Sequence, residues 1–367
     1  MGLRTLFSFT PASAGPPYGG VVFDKGGNLV GAIPSGPAKL LFGCVYQLSL
    51  TGIEHPLHVF NGRANGGNPA YDLILDAAGN VYGVAEDNNG TVFKIAPGGA
   101  VTVLHSFTGS DGSKPAGPAV FDAAGDLYGA TRLGGKHGFG TIFKLTRNGL
   151  FTSLYPFTNG LDGAAPNGGL VLDHVGNIYG TASAGGAHQF GVVFQLTPAG
   201  ILNPLYPFTG TTDGANPVAG LVFDSAGALC GTTTGTGIGV PAVPVPGTVF
   251  RLALTGAFDV LSTCGPFNQG PWGRVAFDAA RRLYVTTLGG GKLGLGSILQ
   301  LVPPPPGFPK PFPYIAHLLY SFTGALDGSA PASTLTVEQG GGTVFLYGTT
   351  TQNGGGGLGT VFEFEVP

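Results

Sequence analysis

A short phrase recurs seven times along the 367-residue chain. Its clearest copies begin at Leu104 and at Leu154, where the chain reads LHSFTGSDGSKPAGPAVFDAAGDLYGATRLGGKHGFGTIFKL and LYPFTNGLDGAAPNGGLVLDHVGNIYGTASAGGAHQFGVVFQL. The acidic residue that ends the VFD-like segment marks each copy, and the markers are Asp24, Asp76, Asp122, Asp173, Asp224, Asp278 and, in a degenerate copy, Glu338. Successive markers are 52, 46, 51, 51, 54 and 60 residues apart, a period typical of propeller blades and longer than leucine-rich or ankyrin repeats.

Each copy contains four short runs of alternating residues, rich in β-branched and aromatic types and separated by glycine-rich turns. In the third copy these runs are AVFD, DLYGAT, GTIFKL and LFTSLYPF. The 68 glycines and 30 prolines fit this pattern, because tight turns need positive φ angles and strand ends tolerate proline. The sequence therefore predicts an all-β fold, a seven-bladed β-propeller with four antiparallel strands per blade.

The two ends of the chain predict how the ring closes. The first run, TLFSF at residues 5–9, matches a fourth strand, whereas the last copy stops after its third strand, GTVFEFEV. We therefore expect residues 1–10 to pair with the C-terminal blade, so that residues 1–367 form one propeller domain. Closure of this kind removes the open sheet edge that would otherwise invite aggregation.

Written as a consensus, the copies read DGxxPxxGLxxDxxGNLYGTTxxGGxxxxGTVFKL. In this form they resemble the GloVer-type tandem repeats of bacterial choice-of-anchor β-propeller proteins. The resemblance covers essentially the whole chain and is strongest in copies three to five and seven. It implies an extracellular or cell-surface location, and it brings neither an established reaction nor catalytic residues.

Charge and hydropathy exclude several classes of function. The formal net charge is -3, and no basic stripe is present that would neutralise a phosphate backbone, so nucleic-acid binding is disfavoured. No run of about 18 apolar residues predicts a transmembrane helix. The first residues, MGLRTLFSFT, lack the charged and apolar regions of a signal peptide, which leaves a cytosolic protein and a trimmed mature form both open.

Three cysteines, Cys44, Cys230 and Cys264, neither pair evenly nor show metal-binding spacing. Cys230 replaces a tyrosine of the repeat and Cys264 a phenylalanine. We therefore interpret the cysteines as small buried hydrophobic residues.

Repeated polar residues admit a structural and a functional interpretation. The acid that marks each copy can accept backbone N–H groups and close a turn. For the acids in the loops between blades we also favour a role in closing a turn. The alternative is a calcium site, because hard cations bind carboxylate oxygens. No other cofactor is predicted. These acids, each followed by glycine, are Asp111, Asp162, Asp213 and Asp327.

His137 and His188 occupy matching positions in GGKHGFG and GGAHQFG, between the second and third strands of neighbouring blades. These loops are expected on the same face as the interblade loops. The two histidines, with Asp111 and Asp162, are secondary candidates for a metal-binding or acid–base role. The structural alternative is that the histidines were inherited with the repeat.

Residues that break the repeat are stronger candidates, because a ring of copies needs asymmetric residues to bind an asymmetric ligand. Four positions before the turn acid, Asp72 and Arg274 carry opposite charges where the other copies have small or neutral residues. Two positions earlier, Tyr18 and the sole tryptophan, Trp272, stand out. All four should lie where the first strands enter the central channel, and they suit a sugar, a peptide or a small polar ligand. The alternative is that copy six has drifted, with Trp272 filling a gap and Arg274 solvated.

Three insertions also break the symmetry, namely IPSGPAKLLFG from Ile33, TGTGIGVPAVPVPG from Thr234 and VPPPPGFPKPFPYIAH from Val302. The proline density of the last predicts a stiff polyproline II excursion. Because it joins a third to a fourth strand, it is expected on the face opposite the candidate pocket. It would serve there as a docking or spacer element, or as an unconstrained loop.

These observations favour a monomeric, non-enzymatic binding module that recognises a glycan or another extracellular partner, such as a protein or peptide, at the mouth of the propeller. A second hypothesis is a carbohydrate-active or lyase-type enzyme that uses Asp72, Arg274 and a loop histidine. Glycoside hydrolysis needs paired carboxylates, and the sequence aligns no second acid with Asp72. A third hypothesis is a purely structural scaffold, which predicts an extended apolar patch elsewhere.

Overall fold

The alternating runs fold, as predicted, into short antiparallel strands joined by tight turns. The computed structural model describes residues 2–11, 15–36, 41–62, 66–235, 245–266, 270–303 and 314–367. Within these ranges 29 strands form seven antiparallel sheets, which are the blades of a closed ring. The predicted seven-bladed β-propeller is confirmed.

The first strand of the chain, β1 (Leu3–Ser8), belongs to the last blade. Blade one consists of β2 (Val22–Phe23), β3 (Leu29–Ile33), β4 (Cys44–Leu48) and β5 (Glu54–Val59). Blade two consists of β6 (Ile74–Leu75), β7 (Val81–Ala85), β8 (Thr91–Ile95) and β9 (Val101–Ser106). Blade three consists of β10 (Ser113–Phe121), β11 (Leu127–Leu133), β12 (Thr141–Leu145) and β13 (Phe151–Pro156). Blade four consists of β14 (Ala164–Pro166), β15 (Val171–Leu172), β16 (Ile178–Ala184), β17 (Val192–Leu196) and β18 (Leu202–Pro207). Blade five consists of β19 (Val222–Phe223), β20 (Leu229–Thr233), β21 (Pro246–Leu252) and β22 (Phe258–Pro266). Blade six consists of β23 (Ala276–Phe277), β24 (Leu283–Thr287), β25 (Ser297–Val302) and β26 (Ile315–Ser321). Blade seven consists of β27 (Thr336–Gly340), β28 (Thr343–Thr350) and β29 (Thr360–Val366), and β1 is its fourth strand.

Blade four departs from the simple count because its first strand is interrupted. Both β14 and β15 pair with β16, and residues 167–170 between them are not in a strand. Gly168 and Gly169 lie in this gap, and glycine weakens a strand because it adds entropy to the unfolded chain and offers no side chain to pack.

The ring closes through the two ends of the chain, as predicted. Strand β1 pairs antiparallel with β29, with Leu3 opposite Phe364 and Thr5 opposite Phe362. The backbone N–H of Phe9 then donates to the carbonyl of Gly359 at 3.0 Å. The chain ends therefore share one sheet, and no edge of the third strand in blade seven is left open.

The acidic residue that marks each copy closes the turn between the first and second strands. In blades one to five its Oδ1 accepts the backbone N–H groups two and four residues further on, at 2.7–3.0 Å. In blade six, Asp278 accepts the N–H of Arg282 at 2.8 Å. The structural interpretation of this acidic set is confirmed.

The other carboxylate oxygen ties the turn to the neighbouring strands. In blades two, three, four and six it accepts the hydroxyl of the second-strand tyrosine at 2.9–3.1 Å. Cys230 replaces this tyrosine in blade five, and there the Nε of Arg251 donates to Asp224 at 2.6 Å. Blade one also lacks the tyrosine, and the Gln47 amide donates to Asp24. The third strand thus supplies the bond wherever the second strand cannot.

These bonds also set the ionisation of the turn acids. Burial raises the pKa of a carboxyl group, because it disfavours the charged form. Here the hydrogen bonds outweigh burial, and the pKa lies below its ordinary value at Asp24, Asp76, Asp173 and Asp224.

Aromatic pairs hold neighbouring blades together. At six of the seven interfaces the phenylalanine that follows the fourth strand packs edge-to-face on an aromatic residue in the third strand of the next blade, with ring centroids 5.0–5.5 Å apart. The pairs are Phe9–Tyr46, Phe60–Phe93, Phe107–Phe143, Phe157–Phe194, Phe208–Phe250 and Phe322–Phe362. Between blades five and six the corresponding residues are Cys264 and Leu299. The predicted role of the repeated aromatic residues in packing between blades is confirmed.

Blade six compensates for its missing third-strand ring. In the repeat a second-strand glycine lies opposite that ring, as Gly129 lies opposite Phe143, and a Cβ at Gly129 would lie only 2.5 Å from it. Blade six instead places Val285 opposite Leu299. The side chain is larger at the glycine position, where Val285 stands, and smaller at the aromatic position, where Leu299 stands. Protein cores tolerate such paired changes when the total side-chain volume is kept.

All three cysteines are buried free thiols, as the sequence predicts. Burial raises the pKa of the Cys230 and Cys264 thiols to about 12. Neutral thiols of this kind pack as small hydrophobic residues.

Replacing Tyr46 by phenylalanine should stabilise the ring. Tyr46 is fully buried at a position where five other blades have phenylalanine, and its hydroxyl lacks a hydrogen-bond partner among the described residues. A buried unsatisfied hydroxyl costs about 1–3 kcal/mol, so Tyr46→Phe should raise the free energy of unfolding by about 1 kcal/mol in guanidinium denaturation. Tyr179→Phe is the matched control, because its hydroxyl donates to Asp173 at 3.1 Å and its loss should destabilise. A Tyr46→Phe variant no more stable than wild type would contradict this account.

Candidate functional site

The beginnings of the first strands converge on a cavity at one mouth of the ring. Its volume is about 230 Å³, and all seven blades contribute to its lining. The four predicted ligand-binding residues, Tyr18, Asp72, Trp272 and Arg274, all line it. The structure therefore brings together residues that lie up to 256 positions apart in the sequence.

A second cavity continues from the mouth into the central channel. Its volume is about 450 Å³, and it is lined by the first strands themselves. The two cavities share Asp72, Pro118, Arg274 and Thr334. The two predicted charges thus lie at the boundary between the mouth and the channel.

The two aromatic residues at the mouth present their rings to solvent. Tyr18 is 52% exposed and Trp272 is 46% exposed. A tryptophan that filled a packing gap would be buried, as the aromatic residues between the blades are. Trp272 therefore does not fill a gap in blade six.

Asp72 and Arg274 are half-buried and differ in how they are engaged. The Oδ1 of Asp72 accepts the backbone N–H of Gly20 at 2.6 Å. The backbone N–H of Arg274 donates to the Thr334 hydroxyl at 3.3 Å, and in the described ranges no ion pair involves its guanidinium. Asp72 is also the one carboxylate among the described residues that line the mouth.

Arg132 is a second cation at the mouth, and the sequence analysis missed it. It lies on β11 of blade three, and its guanidinium is 3.9 Å from the Glu86 carboxylate. The Tyr71 hydroxyl, also at the mouth, donates to Glu86 at 2.9 Å. Burial, and then the charge of Glu86, raises the pKa of Tyr71, which keeps its hydroxyl protonated.

A signal for Arg132 was present in the repeat. Glu86 and Arg132 stand at the same place in copies two and three, ten residues after the turn acid. Most other copies carry proline, serine, threonine or leucine there. Like Asp72 and Arg274, this pair thus places opposite charges where most copies have neutral residues.

Asn167 contributes a further polar group to the mouth. Its Oδ1 is buried and has no hydrogen-bond partner within the described part of the chain. Buried polar atoms are nearly always satisfied in folded proteins. An unsatisfied amide oxygen in a cavity wall is thus a natural acceptor for a bound hydroxyl.

The two candidate histidines lie on the expected face but outside the cavity. The N–H of Gly135 donates to the Gly109 carbonyl at 2.8 Å, and Gly186 donates to Gly160 at 2.9 Å, which places both histidine loops against the interblade loops. His137 and His188 are exposed, and neither lines the mouth.

The interblade acids are engaged within their own loops. Asp162 accepts the backbone N–H of Thr158 at 2.7 Å and the Thr158 hydroxyl at 2.6 Å. Asp111 accepts the N–H of Thr108 at 2.8 Å and bonds the His105 ring at 3.0 Å. Both acids make the loop hydrogen bonds that the turn interpretation predicts. The described residues contain no cluster of three or more His, Cys, Asp or Glu that could hold a metal ion.

The three insertions lie partly outside the described residues, since residues 37–40, 236–244 and 304–313 fall in them. The proline-rich insertion does join a third strand, β25, to a fourth, β26. Its predicted polyproline II excursion and the face on which it emerges lie outside the described ranges.

Residues 85–267 match the model of the Gloeobacter/Verrucomicrobia repeat. A search of curated proteins gave no match. No helix in the described ranges has the length and apolar character needed to cross a membrane.

Among solved structures, the chain is similar to the extracellular domain of BT4673 from B. thetaiotaomicron, described once as a putative one component system and once as a putative hybrid two component system. The first match has 10% identity and a TM-score of 0.62 over 98% of this chain and 40% of the other. The second has 10% identity and a TM-score of 0.61 over 98% and 39%. A gluconolactonase from Xanthomonas campestris, XC5397, matches with 17% identity and a TM-score of 0.42 over 79% and 83%. The chain thus spans about 40% of the BT4673 structures, with which it shares the fold.

Proposed function

Since this chain belongs to the GloVer-type repeat β-propellers, we propose that it is a non-enzymatic binding module, secreted or displayed at the cell surface, that recognises a glycan at the mouth of the ring. The observation that carries this proposal is the pair of exposed aromatic rings beside half-buried charged groups in one cavity. Aromatic faces pack on the apolar faces of sugar rings, and a few placed polar groups fix orientation.

The polar groups of the mouth suit hydroxyl-rich ligands. The Arg274 guanidinium offers up to five N–H donors, and the free lone pairs of Asp72 and the Asn167 Oδ1 offer acceptors. These groups stand on a ring whose blades are locked by aromatic pairs. A preorganised site of this kind loses little entropy when it orders a ligand.

The non-enzymatic assignment is supported by the acids of the mouth. Glycoside hydrolysis by the usual route needs two carboxyl groups about 5–10 Å apart. Among the described residues that line the mouth, Asp72 is the single carboxylate. The loop histidines that the enzymatic hypothesis would recruit do not line the cavity.

Binding should depend on Trp272. On a glycan array, wild-type protein should bind a defined set of saccharides, and calorimetry with the best of them should show an affinity loss of about tenfold or more for Trp272→Ala, since each tenfold corresponds to about 1.4 kcal/mol. Tyr18→Ala should show a smaller loss. Leu161→Ala, which removes a residue 68% exposed on an interblade loop, should bind like wild type.

Saccharide binding that survives both Trp272→Ala and Arg274→Ala would remove this site. A peptide-library screen run in parallel separates the two classes of partner. If peptides bind in a Trp272-dependent manner and no saccharide binds, the ligand of this mouth is a protein or peptide rather than a glycan.

A further inference from the structure

The mouth has an excess of positive charge that the binding function alone does not require. Its charged lining residues are Asp72, Arg132 and Arg274. One carboxylate oxygen of Asp72 is already engaged by the backbone N–H of Gly20 at 2.6 Å. Among the described residues, two guanidinium groups therefore face a cavity lined by one carboxylate, although the chain as a whole has a formal charge of -3.

Arg274 has no counter-ion among the described residues. Across the described ranges the ion pairs of arginine join Arg4 to Glu363, Arg132 to Glu86, Arg251 to Asp224 and Arg282 to Asp278. Arg274 is half-buried at the boundary between the mouth and the channel. A cation that is partly removed from water binds an anion more strongly than an exposed one.

Arg132, on the far side of the ring in blade three, is only loosely paired. Its distance to the Glu86 carboxylate is 3.9 Å, beyond hydrogen-bond length. The same Glu86 oxygen accepts the Tyr71 hydroxyl at 2.9 Å. Most of the donors of Arg132 therefore stay available to a ligand.

Arg274 and Trp272 are two residues apart at the start of the same strand, and both line the mouth. Building on the proposed glycan-binding function, we infer that the mouth selects an acidic saccharide, in which Trp272 stacks on a uronate ring and Arg274 binds its carboxylate. A guanidinium matches the planar carboxylate with two parallel N–H bonds. Arg132 then contacts the next sugar of the chain across the cavity.

The test compares oligogalacturonate with the same oligosaccharide after its carboxyl groups have been reduced to neutral alcohols. By calorimetry, wild-type protein should bind the uronate form about ten- to a hundredfold more tightly, as expected for a charge-assisted hydrogen bond. Arg274→Gln should remove most of this preference, because it lowers the affinity for the uronate form far more than the affinity for the neutral form. Arg274→Lys, which keeps the charge but not the bidentate geometry, should retain a partial preference.

Arg281→Gln is the matched control, because Arg281 is exposed in the turn of the same blade and outside both cavities. Thermal melting of each variant should match wild type, since the Arg274 side chain has no ion pair to lose in the described ranges. Equal binding of both oligosaccharides, or a uronate preference unchanged in Arg274→Gln, would overturn the inference and leave the proposed function intact. If neither oligosaccharide binds and the glycan array shows no binding, both the inference and the proposed glycan-binding function are overturned. Binding of sulfated but not carboxylated oligosaccharides would overturn the uronate assignment.

Discussion

Deletion of residues 1–10 should lower the melting temperature of the ring by about 10 °C or more, or abolish its cooperative transition. The deletion removes the fourth strand of blade seven and the burial of Leu6 and Phe9. It also removes the Phe9 ring from Tyr46 in blade one, where their centroids are 5.5 Å apart. Each lost apolar side chain costs about 1.5–3 kcal/mol, and the exposed edge of β29 becomes a site for aggregation. Differential scanning calorimetry measures the effect.

A circular permutant tests whether closure, rather than the mere presence of the segment, gives this stability. Leu3 lies opposite Phe364, so a short glycine-serine linker can join residue 367 to residue 1. New ends opened between Gly98 and Gly99, in the turn that links β8 to β9, would move the seam to blade two. This permutant should melt within a few degrees of wild type. A truncated protein with an unchanged melting temperature would show that the ring does not depend on its closing strand.

The fold was predictable because each copy of the repeat predicts its own strands, and the number of copies gives the number of blades. Each copy states its own strands through period-two alternation, and a blade can bury its faces only against neighbouring blades. The count of copies therefore fixed the number of blades, and the truncated last copy located the closing strand at residues 5–9.

The site was predictable only as far as the copies could be aligned. Tyr18, Asp72, Trp272 and Arg274 were found because they break a position shared by all copies, and symmetry then placed them at one mouth. Arg132 differs from most other copies at a fixed distance from the turn acid, but it lies at the end of a second strand, which the repeat alone does not place at the mouth. That the end of β11 reaches the same cavity as the starts of the first strands is a property of the assembled ring, which local sequence patterns do not encode.

Some exceptions to the repeat have structural causes. Cys230 breaks the tyrosine position, but Arg251 restores the lost bond to Asp224 at 2.6 Å. Val285 and Leu299 break two positions that face each other. A structural exception is thus compensated by a neighbour. Trp272 has no such compensating neighbour among the described residues and is 46% exposed, as the proposed ligand-binding role predicts.

Truncation of Phe208 should be among the most destabilising single changes in this chain. Its side chain is fully buried between blades four and five and packs edge-to-face on Phe250 at 5.3 Å. Phe208→Ala should lower the free energy of unfolding by about 3–5 kcal/mol, because a core aromatic loses both its burial and its packing partners. Guanidinium denaturation followed by tryptophan fluorescence measures the loss.

Cys264→Ala, at the corresponding position of blade five, is the matched control and should cost about 1 kcal/mol or less. Among the described residues, Cys264 and Leu299 stand where the other interfaces have their aromatic pair, and an open cleft of about 450 Å³ lies beside them. Losses of equal size at the two positions would mean that the aromatic pairs add nothing beyond the burial of any side chain. Unequal losses would mean that stability is unevenly distributed around the ring. The interface between blades five and six, the latter carrying Trp272 and Arg274, would then be weaker than the interface between blades four and five.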